Sequence, residues 1–172
     1  MTLEEINRLP SQDVETEFLK CCGSTRWAKR MAEARPFTDI GQLFSKADEI
    51  WWSLSTDDRL EAFRAHPKIG EKKAATAQSA EAQRWSAQEQ SQSQQAAAET
   101  KAALAEGNTR YEDRFGFIFI VCAAGKSAGE ILASLSQRLG NNHETELRIA
   151  ADEQRKITQL RLNRLVDSSA ST

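Results

Sequence analysis

The sequence predicts an all-α protein: a single-domain bundle of about seven to nine helices, with one short extended segment near 115–123. Three observations predict it. Apolar residues recur at steps of three and four in several segments, as on a helix that buries one face. Capping-box signatures, in which a serine or threonine and a glutamate three residues on satisfy each other's backbone N–H groups, stand at Thr2–Glu5, Ser86–Glu89 and Ser127–Glu130. Composition is the third: three prolines, eight glycines and few β-branched residues, with a single strand-like run and no second one to pair with it.

Taken in order, Thr2-Leu3-Glu4-Glu5 opens a short first helix that Pro10 ends. Ser11 is expected to cap the next, which carries Val14, Phe18 and Leu19 until Gly23 stops it. Thr25 to Ala34 forms a third, closed by Pro36. Thr38 or Asp39 opens the clearest amphipathic helix, where Ile40, Leu43, Phe44, Ala47, Ile50, Trp51 and Leu54 make one stripe. That stripe is core, and its tryptophans need no functional explanation. Ser55-Thr56-Asp57-Asp58 starts a helix with Leu60 and Phe63 inward. From 71 to 99 the composition shifts to Ala, Gln, Ser and Glu around Trp85. This reads as a solvated helical arm, with a helix beginning at Ser86 and ending at Gly107-Asn108. Phe115 to Ala124 is expected as a buried, partly extended segment threaded among helices. Ser127 opens a helix through Ile131, Leu132, Leu135 and Leu139 to Gly140; Asn141 and Asn142 turn the chain into a last helix from about His143 to Val166. The domain is expected to span 1–166, with 167–172 a disordered tail.

The totals exclude several classes. A net charge of −2 with no basic block argues against nucleic acid as a partner. The acidic N-terminus has no apolar signal-peptide core, and the longest uncharged apolar run, Phe115 to Gly125, is too short to span a bilayer. Cys21, Cys22 and Cys122 are odd in number and not spaced as metal pairs, which suggests reduced thiols in a cytosol. Two well-separated histidines complete no zinc signature.

Four places carry chemistry. His66 directly precedes Pro67, which disfavours the α region before it, so the imidazole is mounted at a helix end or just beyond. Spacing alone leaves open whether it caps an ordinary helix stop or carries protons near neutral pH. Glu89 closes a capping box with Ser86, and is either a backbone partner or a ligand carboxylate at a helix start. The Phe115 run has backbone groups without a ladder, to be met by neighbouring side chains or by a ligand. Arg161 falls inside the apolar arc of Leu147, Ala150, Ala151, Ile157, Leu162 and Leu165, with Gln154 beside it. A buried guanidinium needs an acceptor, whether at the rim, on a core carboxylate or on a ligand. His143 sits in polar company and reads as surface.

Together His66-Pro67-Lys68-Ile69-Gly70, Ser86-x-x-Glu89-Gln90, Arg114-Phe115-Gly116-Phe117-x-Phe119-Ile120-x-Cys122-Ala123 and Lys156-Ile157-x-x-Leu160-Arg161-Leu162 resemble the 2-oxo-4-hydroxy-4-carboxy-5-ureidoimidazoline (OHCU) decarboxylases, nearly end to end. The resemblance implies an all-helical, cytoplasmic homodimer. It implies a carboxy-lyase that makes (S)-allantoin, the last step from urate, without cofactor or metal. It implies His66 as the proton-handling residue, with Glu89 and Arg161 completing the catalytic set. Substrate contacts are implied for Pro67, for Ser86, Ala87, Gln88 and Gln90, and for Phe119, Ile120, Val121, Cys122 and Ala123. The sequence departs after Gln90, where Ser91-Gln92-Ser93 replaces the Ala-Gly-Leu of many members, and no ligand role is implied for the stretch that directly follows Gln90. The reading from a different class is a non-catalytic helical scaffold that docks partners through the Gln/Ala-rich arm.

Overall fold

The computed structural model describes residues 1–71, 74–76 and 78–167. Among these it has nine α-helices and no strand: α1 (Leu3–Arg8), α2 (Ser11–Cys21), α3 (Thr25–Glu33), α4 (Ile40–Ser53), α5 (Thr56–Arg64), α6 (Ala80–Glu89), α7 (Ala98–Phe115), α8 (Ala128–Arg138) and α9 (His143–Asp167), with a 3-10 turn at Ser93–Gln95. The all-α expectation holds. The expected tail beyond Asp167 lies outside the described residues. No helix among the described residues is long and apolar enough to cross a membrane.

Most helix starts follow from capping chemistry. Thr2 and Ser127 form complete capping boxes with Glu5 and Glu130. Asp39 accepts the Gln42 N–H at the head of α4, and Asn142 accepts that of Thr145 at the head of α9. Three expectations need correction. Pro10 rather than Ser11 occupies the N-cap of α2, so Ser11 is already helical. Ser86 does not open a helix: α6 starts earlier, capped by Ser79, and Ser86–Glu89 is its last turn. A serine and a glutamate three apart also share a face inside a helix, so the spacing alone does not mark a start. Gly107-Asn108 does not end a helix either, because α7 runs straight through. Gly107 is there for packing: a Cβ would come 2.5 Å from Leu135 Cδ2 of α8. Asn108 is held inside by donating to the Ile69 carbonyl.

The chain divides into two compact units, Met1–Ala62 with the chain from Arg155 on, and Phe63–Gln154. The first has a core of Ile6, Val14, Phe18, Trp27, Met31, Leu43 and Trp51, together with Ile157, Leu162 and Leu165 of α9. Trp27 packs edge-on to Phe18 and satisfies its indole N–H on the Ala47 carbonyl at 3.1 Å. The second unit is built around the aromatic group Phe63, Tyr111, Phe115, Phe117 and Phe119. Gly116, at φ +80°, ends α7 in the left-handed conformation, and residues 117–123 continue as a non-helical, mostly buried segment. That is the threaded stretch the sequence leads one to expect.

Candidate active site

The second unit holds most of the expected site residues. α5 ends at Arg64, the His66 N–H bonds the Phe63 carbonyl, and Pro67 pairs with Ala74 in an isolated antiparallel bridge. Neighbouring elements tie the loop down. Thr76 N–H reaches the Arg64 carbonyl, Gln78 Nε2 donates to the Ala65 carbonyl, and Asn108 Nδ2 donates to that of Ile69. Gly70, at φ +90°, turns the chain and donates its N–H to Gln90 Oε1 at 2.9 Å. His66 is buried, and its Nε2 lies 2.6 Å from Oε1 of the fully buried Gln154. The stiffly mounted imidazole expected from His66-Pro67 is present.

On the last turn of α6 the buried side chains are Ser86, Glu89 and Gln90, while Ala87 and Gln88 between them are exposed. The correction to this helix reverses an electrostatic expectation. Glu89 stands at a C-terminus, where the helix dipole disfavours a carboxylate, instead of at a favourable N-terminus. Part of the 119–123 backbone is met from within the protein. Ile120 gives its carbonyl to Arg138, the Cys122 N–H reaches Glu153 Oε1 at 3.3 Å, and the Ala123 carbonyl accepts from Lys126. Burial pushes the Cys122 thiol up, and the charges of Glu153 and Glu89 push it further, against a backbone hydrogen bond and Lys126.

Arg161 lies in the first unit, buried on α9, with Nη1 donating to the Lys20 carbonyl at 3.2 Å. Its charge also acts on Cys22. Burial raises that thiol to about 12, while Ser24, Thr158 and Arg161 partly offset the rise. His143 is exposed as expected, but its Nε2 bonds the Phe115 carbonyl and its ring packs on Phe117. A cavity of about 310 Å³ lies next to the His66 loop, lined by Lys68 to Glu71, Ser93 and Asn108. Neither His66 nor Glu89 lines it.

Two groups went unassigned from sequence. Gln154 was visible beside Arg161 but had no partner to give it a role. Arg138 carries the same signal as Arg161, a cation on the Ile131–Leu135 stripe of a helix. It is ion-paired to Glu146 at 2.7 Å, and Tyr111 donates its hydroxyl to the same carboxylate at 2.6 Å.

A helical scaffold with a buried imidazole and buried carboxylates suits proton-transfer chemistry. Comparison with known proteins identifies the class. The family model of OHCU decarboxylase matches residues 7–163, and the chain belongs to that family. It is 39% identical over 157 residues to an Arabidopsis thaliana uric acid degradation bifunctional protein, covering 91% of this chain and 48% of that one. It is 32% identical to a 2-oxo-4-hydroxy-4-carboxy-5-ureidoimidazoline decarboxylase from Haloferax volcanii, covering 94% of each. A crystal structure of an OHCU decarboxylase in the presence of (S)-allantoin superposes with a TM-score of 0.77 at 38% identity, covering 88% of this chain and 98% of that one. The chain thus spans about half the length of the bifunctional plant relative and nearly all of the archaeal one.

Proposed function

We propose that this protein decarboxylates 2-oxo-4-hydroxy-4-carboxy-5-ureidoimidazoline to (S)-allantoin without a cofactor. Family membership over 7–163 supports the reaction, and the observation that carries it to residues is His66, buried and held on a tied loop. When the C–CO₂ bond breaks, its electron pair moves into the adjacent C=N of the ring, so the substrate is its own electron sink. The protein must orient that bond, let the ring nitrogen that receives the pair take up a proton, take the hydroxyl proton as the carbonyl forms, and protonate the neighbouring carbon from one face. His66 handles the protons. Glu89 grips the ureido N–H groups, and Arg161 offsets negative charge. Pro67, the Ser86–Gln90 turn and the Phe119–Ala123 segment make the remaining substrate contacts. The working protein is a cytoplasmic homodimer with 1–166 as one domain, checked by sedimentation at micromolar concentration.

The test generates the unstable substrate from urate enzymatically, adds this protein, and follows optical activity. Accelerated formation of (S)-allantoin is expected. His66→Asn is expected to lower kcat by about 10²–10⁴-fold with thermal melting nearly unchanged. An unaltered rate of (S)-allantoin appearance on adding the parent protein sinks the assignment.

A further inference from the structure

We propose that Gln154 is a positioning residue for this reaction: its side-chain oxygen selects the Nε2–H tautomer of His66, so that the ring exchanges protons with substrate through Nδ1. The proposal rests on His66 being the proton carrier. Gln154 is 0% exposed, and Oε1 lies 2.6 Å from His66 Nε2. A carbonyl oxygen only accepts, so Nε2 carries the hydrogen and the neutral ring holds its lone pair on Nδ1.

The surroundings explain why a side chain must do this. His66 lies beyond the end of α5, and its backbone N–H is committed to Phe63. The backbone bonds and Pro67 fix where the Cα sits, but they leave rotation of the ring about its own bonds unset. A short hydrogen bond in a buried place restrains it, because water does not compete for the contact there. The chemical type also fits. A carboxylate at the same place would favour the imidazolium, whereas a neutral amide orients the ring and leaves it able both to take a proton and to return it.

The chain has two histidines, so untagged protein carrying His143→Asn has His66 as its sole imidazole. Long-range proton–nitrogen spectra of ¹⁵N-labelled protein, at a pH where the ring is neutral, read the tautomer without substrate. The expected result is a hydrogen on Nε2 and a bare Nδ1. Gln154→Leu should move the ring toward a tautomer mixture and lower kcat by roughly tenfold or more with KM within about twofold. Gln154→Glu, which keeps an acceptor oxygen but adds charge, should retain the hydrogen on Nε2 once the pH is raised far enough to make the ring neutral. A hydrogen on Nδ1 in the parent, as a reversed glutamine amide would give, overturns the proposal. So does an unchanged tautomer in Gln154→Leu. If Gln154→Leu fails to fold, the parent and Gln154→Glu spectra decide. Full activity of His66→Asn would instead sink the proton-carrier reading, and the tautomer result would stand apart from it.

Discussion

Two buried polar groups in the Phe63–Gln154 unit use the same residue types to opposite ends. Around Arg138 the account closes. Nε meets Glu146, Nη1 meets the Ile120 carbonyl, Nη2 meets the Tyr111 hydroxyl, and Asn141 satisfies the second Glu146 oxygen. The guanidinium also stacks over Phe119 at 4.5 Å. The Tyr111 phenol is held well above its usual range, chiefly by burial and then by donation to Glu146. Around Cys122 the arrangement is looser: Glu153 Oε1 accepts the Cys122 N–H at 3.3 Å and lies 3.7 Å from Lys126 Nζ, and the charges of Glu153 and Glu89 both push the thiol up. The first arrangement stabilises the fold. The second gathers ionisable groups beside the segment proposed to meet the substrate.

The sharpest way to break this contrast is Arg138→Met. It leaves Glu146, which is 0% exposed, as an uncompensated buried charge, and unfolding free energy should fall by about 3–5 kcal/mol. Adding Glu146→Leu should recover part of the loss. Urea titration of both variants checks this; a single variant as stable as the parent would show the cluster is not scaffold.

Arg161 belongs to neither group, and lysine there decides which kind of burial it has. Lysine keeps the charge and loses the planar fork. Arg161→Lys should cost roughly 2–4 kcal/mol in transition-state stabilisation, read as kcat/KM, and less than that in unfolding free energy. A destabilised variant that is fully active per folded molecule would assign the residue to scaffold.

Glu89→Gln follows in size. Activity should drop by roughly 10- to 100-fold, while the melting temperature changes little, because glutamine keeps the size and the acceptor oxygen of the side chain. A lower melting temperature with full activity would place Glu89 beside Glu146 as a structural carboxylate.

The smallest effect lies in the other unit. The Cys22 thiol is raised in the folded state, so its contribution to stability is complete below the unfolded thiol's pKa and is lost as pH rises through it toward the folded value near 12. The parent should therefore lose about 1 kcal/mol by pH 10 that Cys22→Ala does not. Denaturant midpoints at pH 7 and pH 10 compare the two slopes; equal slopes would remove Cys22 as the source.

Much of the fold was legible because helix starts are written locally. Thr2, Asp39 and Ser127 bond N–H groups within three residues, and no distant contact is needed to see it. Errors arose where the deciding partner is far away. Gly107 reads as a stop until Leu135 is opposite it. Ser79 caps α6 without a glutamate three residues on, so it gave no box to find, whereas Ser86 did. For the site, a proline-locked imidazole was visible in two adjacent letters. Its glutamine partner lies on α9, and no spacing rule connects two residues so far apart.

α9 adds a constraint on how the chain is made. Phe63–Gln154 is continuous, so one of the two units is complete in itself once Gln154 has been synthesised. The other needs Ile157, Leu162 and Leu165 to fill a core begun at Ile6. The usual vectorial order, with the N-terminal part folding first as it leaves the ribosome, is therefore inverted: residues 1–62 wait for the last helix before their core can close. Through that interval the core of the first unit lacks Ile157, Leu162 and Leu165, so a stalled or truncated nascent chain exposes apolar surface in the half made first.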